Sequence, residues 1–446
     1  MERSENSGFL GQCTLNDTEK PTSKDQTTVG VHAWHWIEPW YLAYAFQGAS
    51  VAGLIPILIP LVVNQGGSVA QVGLVMAGVN FGGLAAPLWG TLADRFRLHR
   101  WLLVGGLFLT VIGLALFPFV RGSGPWLLLA LLQGIGSAGA ATVANLFVVE
   151  VHPEAEWDER IGWLQTFYGA GQVAGLLVAG FFSQPGVVRT GVFVAAGVTL
   201  LAGLVGWLTT HTPPRPAAAK PVMRHPVRTG EWTVGSPQRL FHHVSAEVIT
   251  GMGRLLRSSF GLFLLVWLLT FSGTAIIFSL YPVLMQTQFG VAPEVSSPVF
   301  AVAAGIGLFL YSPAGSWSAR LGTRRVMLVG FAIRLAAVLG ILVLGLTHPV
   351  SLSWLALLGF VLIVLAWSLL SVSSTALAAA LSPAGEGAGL GLFNAVTALA
   401  GVLGSLLGGA IAGQSGFPAA LALALVAILI GFVIFIIARN LREKGS

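Results

Sequence analysis

Apolar residues run along this chain in blocks of about twenty, separated by short polar or glycine-rich turns. The blocks fall at 40–62, 69–89, 101–120, 125–149, 161–183, 190–210, 260–285, 297–317, 326–347, 352–380, 389–412 and 417–438. Twenty residues of helix rise about 30 Å, the thickness of a bilayer's hydrocarbon core. Backbone groups in lipid need partners within their own segment, so each block predicts a helix rather than a strand. Pro56, Pro60, Pro87, Pro282 and Pro313 lie in or at the ends of these blocks and predict kinks. The pattern predicts an all-α membrane protein with twelve transmembrane helices.

The longest polar connection, 211–258, divides the blocks into six at 37–210 and six at 259–438, flanked by tails at 1–36 and 439–446. It opens with HTPPRPAAAKP, a stiff proline-rich linker. Phe241, Val244, Val248, Met252 and Leu255 then recur at helical spacing among arginines, which predicts a basic amphipathic helix lying on the membrane surface.

Composition agrees with this reading. Of 446 residues 55% are hydrophobic and only 9% charged, with mean hydropathy +0.82. A soluble protein would carry charge on about a quarter of its positions. Cys13 is the single cysteine, so no intrachain disulfide or cysteine metal cluster can form. The adjacent His242 and His243 diverge on a helix, so no metal site is expected there. No nucleophile–base pair lies within the blocks, and neither an enzyme nor a cofactor is expected. The first 30 residues lack the apolar core of a cleavable signal, so the first helix is expected to remain.

Charge sets an orientation. With the N-terminus in the cytoplasm, every Lys and Arg except Arg121, Arg189 and Arg334 falls in a cytoplasmic tail, loop or linker. Both termini are therefore expected inside a plasma membrane. The pI of about 9.9 follows from this asymmetry, with no call for a nucleic-acid partner.

Two basic stretches stand out, GTLADRFRLHR at 90–100 and GSWSARLGTRR at 315–325. They lie half a chain apart, and Gly90, Arg95 and Arg100 match Gly315, Arg320 and Arg325. This is an internal repeat of two halves. Gly90, Leu92, Ala93, Asp94, Arg95 and a later basic residue resemble the loop 2–3 signature of the major facilitator superfamily, Gly-x-Leu-Ala-Asp-Arg-x-Gly-Arg-(Arg/Lys); Arg97 replaces its second glycine. The resemblance implies two pseudo-symmetric six-helix bundles, a small-molecule substrate, alternating access and a monomer in the lipid bilayer. It also implies that Asp94 bridges to the positive N-terminal end of helix 11 when the inner side is closed. Arg95 and Arg97 would hold Asp94, and Glu150 is the candidate partner of Arg95. Ala319 stands where the second half would repeat Asp94.

Drug exporters of that family carry Arg-x-x-Gln-Gly in helix 4. Here Gln133, Gly134 and Gly136 fit, and Ala130 occupies the arginine position. GAGQVAGLLVAG at 169–180 resembles the family's glycine-rich antiporter segment, and Gly171, Gly175 and Gly180 predict close helix packing. The family binds substrate between helices 1, 4, 7 and 10. The polar exceptions there are Tyr44, Gln47, Gln133, Asn145, Thr274, Tyr281, Trp367 and Ser371, although any single Ser or Thr can be satisfied within its own helix. Such a lining suits a neutral or amphipathic organic molecule. Arg334 is the sole embedded charge, about 12 Å into helix 9. Snorkelling to the inner interface or pairing with a neighbouring carbonyl is expected of it, with a functional charge as the alternative.

The expected function is export of a hydrophobic or amphipathic small molecule, driven by proton antiport. A proton-independent facilitator or uptake carrier is one alternative. A non-transporting receptor or lipid-handling scaffold is another.

Overall fold

The computed structural model describes residues 37–86, 88–89, 92–93, 99–152, 156–210, 258–347, 352–382 and 386–438. Gly90, Asp94, Arg95 and Arg97, the amphipathic helix expected in 211–258 and most of both tails lie outside the described residues, as does the side chain of Glu150.

Among the described residues there are twelve long helices: α1 Tyr41–Gly66, α2 Val69–Ala85, α3 His99–Phe119, α4 Ser123–Val151, α5 Trp157–Phe182, α6 Val188–Thr209, α7 Ser259–Phe289, α8 Pro293–Leu321, α9 Thr323–Thr347, α10 Ser353–Leu381, α11 Glu386–Ser415 and α12 Phe417–Ile437. Ten are long and apolar enough to cross a membrane. The exceptions are the short α2 and α5, which opens on the polar run WDERI. Most helices outrun their apolar blocks by a few residues, and two of them start on a side-chain cap. Ser68 and Gln71 form a reciprocal capping box at the start of α2. Ser258 caps α7 through the Gly261 N–H, and Gly290, at φ 65°, closes that helix in the left-handed region.

α1 departs from a regular helix over Ala49–Leu54, which forms a π-helical turn with the Ile55 N–H bonded five residues back to Ser50. Pro56 and Pro60 follow, each without an N–H to donate. Opposite this turn, Gly171 and Gly175 of α5 lie under the Ala45 and Ala49 carbonyls, where a Cβ on either would overlap an oxygen. The expected glycine packing of α5 is therefore made against α1 at Gly171 and Gly175.

Within each half, α3 packs on α4 and α6, and α9 packs on α10 and α12. Between halves, α2 packs on α11, α5 on α8 and α1 on α7. The first two contacts exchange under a two-fold relating the halves, and the third maps onto itself. The fold is the two-bundle architecture the repeat predicts.

The basic repeat also has a structural role. Arg100 donates to the Trp207 carbonyl at 2.6 Å and stacks 4.5 Å over the Trp207 ring, at the C-terminal end of α6. Arg324 donates to the Phe435 and Ile436 carbonyls at 2.9 and 3.0 Å and lies 5.5 Å over Phe435, at the end of α12. The counterpart of Arg100 is thus Arg324 and not Arg325, which is exposed. One residue turns a helix by about 100°, and Arg324 is the one facing α12. A cation at a helix C-terminus offsets the negative end of the dipole by about 1 kcal/mol at most for exposed sites. Arg324→Ala and Arg100→Ala are each expected to lower stability by about that much. The check is the thermal midpoint of detergent-purified protein, and a midpoint equal to native in both variants would remove this role.

Candidate functional site

The contacts between halves run along only part of each crossing. On α2, Ala70, Gly73, Asn80 and Gly83 meet Gly413, Gly409, Gly401 and Ala398 of α11. On α5, Gly180, Val173 and Gly169 meet Pro298, Gly305 and Leu308 of α8. Beyond them, on the same faces, Gly162, Gln165, Ser312, Ser316, Gly391 and Asn394 are exposed. The halves are therefore closed at the end carrying the α1–α2 and α7–α8 turns, and apart at the end carrying the α8–α9 turn.

Where they diverge lies a cavity of about 300 Å³. Ala52 and Pro56 bring α1 to its wall just after the π turn. α2 contributes Met76 and Asn80, α5 Gln172, and α11 Gly401. Phe271, Ala275, Phe278 and Ser279 come from α7, and Val364, Trp367 and Ser368 from α10. α8 supplies Phe300, Ala304, Gly307, Leu308 and Tyr311. None of these side chains is charged. The aromatic rings brace one another, with Phe271 5.4 Å from Trp367 and Phe278 5.9 Å from Phe300. Ser368 donates to the Gly307 carbonyl at 3.0 Å and holds α10 on α8.

Asn80 is both wall and latch. Its amide nitrogen donates to the Ser405 hydroxyl at 3.0 Å and to the Gly401 carbonyl at 3.4 Å, across the two halves. Ser405 in turn shares a hydrogen bond of 2.5 Å with Ser279 of α7.

Of the eight substrate candidates read from the sequence, Trp367 lines the cavity. Gln47 is buried, donating to the Ser137 carbonyl at 2.9 Å to tie α1 to α4. Gln133 is buried where α4 meets α2 and α3. Thr274 and Ser371 donate within their own helices, to Thr270 and Ser368. Tyr281 stacks 3.7 Å from Phe360 and donates to the Ser296 carbonyl at 2.8 Å, behind the wall. Tyr44 and Asn145 form a separate group with Gln165, which donates to the Asn145 side-chain oxygen at 3.3 Å. Gln165 is seven residues before Gln172 on α5, so this group lies about 10 Å toward the open end.

The sequence reading missed Asn80, Gln172, Ser279, Tyr311 and Ser368. Asn80 and Gln172 had a signal, since each is a lone amide in an otherwise apolar stretch. The four-helix expectation passed over α2, α5, α8 and α11, which close over the cavity here. Among the motif residues, Gly315 is half-buried on α8, and Arg320 and Arg325 are exposed at the α8–α9 turn. Arg334 departs from expectation. It is fully buried, and none of its guanidinium nitrogens has a hydrogen-bond partner among the described residues. It neither snorkels nor finds a carbonyl.

Two similar helical halves meeting around a central cavity, closed at one end only, have the architecture of alternating-access carriers. The chain belongs to the Major Facilitator Superfamily, whose family model matches residues 40–386 and 309–446. It is 28% identical over 166 residues to the multi-drug resistance efflux pump PmrA of Streptococcus pneumoniae, covering 35% of this chain and 40% of the pump. It is 29% identical over 180 residues to myo-inositol transporter 3A of Cryptococcus neoformans, covering 37% of this chain and 28% of that protein. The match thus spans less than half of either relative.

Among solved structures, the nucleoside transporter NupG superposes with TM-score 0.67 at 13% identity, over 90% of this chain and 97% of that one. A bacterial homolog of the human lysosomal transporter Spinster, inward-facing and occupied, gives TM-score 0.67 at 16% identity, over 93% of this chain and 99% of that one. These likenesses show the fold alone.

The α2–α11 seal supplies a direct test. A Cβ on Gly409 would lie 2.5 Å from the Gly73 Cα, closer than any real contact. Gly409→Val is expected to force the seal apart and abolish transport, with protein still present in the membrane. A cysteine at Ser405, with Cys13 replaced, should then react faster with an impermeant thiol reagent from the side of the α1–α2 turn. Native turnover or unchanged reactivity would contradict the seal.

Proposed function

We propose that this transporter exports a small amphipathic organic molecule by rocking its two halves about the central cavity, with proton antiport as the driving reaction. The observation that carries the reading is the cavity at the point where the halves diverge. Its wall is uncharged and rich in aromatic rings, with two amides, Asn80 and Gln172. Such a wall favours a ligand with an apolar body and few polar groups. The similarity to PmrA, named as an efflux pump, supports the direction. The basic asymmetry places the open end in the cytoplasm, so the structure would be the inward-open state of the cycle.

Asp94 remains the proposed charge that closes the inner side against α11. Uptake of a neutral hydroxylated molecule is the second reading, favoured by the similarity to a myo-inositol transporter and by the two amides.

Proteoliposomes loaded with a panel of aromatic amphiphiles and polyols, with and without a two-unit pH step, test both readings. Uphill movement of amphiphiles out of the cytoplasmic compartment, driven by acidifying the far side, is expected. Trp367→Ala and Gln172→Leu should each cost about tenfold in kcat/KM, the loss of about 1.4 kcal/mol of binding. Asp94→Asn should abolish turnover while protein stays in the membrane. Robust counterflow with no response to the pH step would establish a facilitator, and transport of polyols alone would establish the uptake reading.

Orientation is tested separately. With Cys13 replaced, a cysteine at Gly67 should label from outside intact cells and one at His225 should not. The reverse pattern would invert the topology.

A further inference from the structure

Arg334 occupies the middle of α9, a helix packed against α10 and α12. It is among the largest fully buried side chains, at 0% exposure. Its Nε, Nη1 and Nη2 all lack a hydrogen-bond partner among the described residues. A guanidinium carries five N–H donors and keeps its proton in proteins, so this is a fixed buried charge. An unpaired buried charge is among the most costly groups a fold can hold, and an apolar side chain of the same length would be cheaper. The described acidic side chains of the helical body, Glu156, Glu159 and Glu294, all lie at the ends of helices or just outside them, none at the depth of Arg334.

What Arg334 does touch is Trp367. The guanidinium carbon lies 5.9 Å over the centroid of the Trp367 ring. Trp367 is itself a wall of the cavity, held between Arg334 and the α7 rings of Trp267, 6.1 Å away, and Phe271, 5.4 Å away. Trp367 is therefore both a wall of the cavity and the neighbour of the guanidinium. A ligand in van der Waals contact with the indole would sit within about 10 Å of the charge. At that distance, through a protein interior of effective permittivity about 20, a unit charge changes binding by about tenfold. No charge of opposite sign lines the cavity to cancel it.

We propose that Arg334 sets the charge preference of the transport cavity, so that the molecule it takes is a small amphipathic acid, carrying a carboxylate or sulfonate toward Trp367 and an apolar body against Phe278 and Phe300. This rests on the reading of the cavity as the substrate site. The N-terminal half offers neutral amides and the C-terminal half offers the charge, so the acid group is oriented toward α9 and α10. Cations are rejected by the same field that attracts anions.

The test uses purified full-length protein in nanodiscs and three probes with one ring system: 1-naphthylacetate, 2-(1-naphthyl)ethanol and 1-naphthylmethylamine. Binding is read by calorimetry. The acid is expected to bind about tenfold tighter than the alcohol, and the alcohol about tenfold tighter than the amine. Arg334→Gln and Arg334→Met should collapse this spread to within about twofold, while Arg334→Lys keeps the order. Because the charge is unpaired, Arg334→Met should melt no lower than native. Equal binding of the three probes, a preference for the amine, no binding of the acid, or a spread that survives Arg334→Gln would each overturn the proposal. So would a large loss of stability in Arg334→Met, which would reveal a structural partner. Acid-selective binding without transport of any probe would instead reject the transport reading and leave the charge preference standing.

Discussion

The structure depends on how closely α2 can approach α11. At Gly73 and Gly409 the two backbones meet with no side chain between them. Water does not drive helices together inside a bilayer, so such contacts rest on packing and on hydrogen bonds. Glycines supply the packing, and Asn80 supplies hydrogen bonds to Ser405 and Gly401. The matching crossing of α5 on α8 is made differently, with Pro298, Val173 and Leu308 filling the gap. One crossing is therefore short-range and partly polar, and the other is apolar and bridged by side chains. A seal made of a few polar bonds and small contacts can be broken and remade, whereas a deep interdigitated core cannot.

Contacts inside each half have the opposite character. Arg100 ties the start of α3 to the end of α6, and Arg324 ties the start of α9 to the end of α12. Gln47 fixes α1 to α4, and the π turn of α1 sits on the glycines of α5. These bonds hold the helices of one half in fixed relation to one another. The basic repeat, read from the sequence as a mark of the cytoplasmic side, thus also serves as a pair of helix clamps. Its two functions share residues because helix ends and membrane interfaces coincide.

The number and order of the helices could be read from the chain, because lipid demands long apolar helices and leaves little freedom in how they are written. The two-fold relation was legible in Gly90 and Gly315. The site was legible only in part. Trp367 was found because a tryptophan in mid-span is conspicuous. Asn80 and Gln172 are equally exceptional in composition, yet they sit on crossing helices whose role depends on which end of the molecule is closed. Gln47 and Gln133 look identical to them in sequence and are spent on packing between neighbours. A one-dimensional pattern tells that an amide is buried, but not which of two neighbouring helices it faces. Arg334 was visible as an embedded charge, but its lack of a hydrogen-bond partner among the described residues is a property of the packed bundle.

Size and polarity together narrow what the cavity can hold. A volume of about 300 Å³ is at the lower limit of small-molecule sites, room for a compact ring system and a short substituent. Such a ligand reaches both halves at once. The two amide hydrogens of Asn80 are already given to Ser405 and Gly401. A ligand that accepts one of them removes a bond from the seal, so binding and loosening compete for the same donors. A ligand that leaves Asn80 alone fills the cavity without touching the latch. On the proposed cycle, any further acceptor that a transported molecule presents to α2, apart from the acid group directed toward α10, is thus linked to gating by simple donor counting, because Asn80 is also the side chain that ties the halves together.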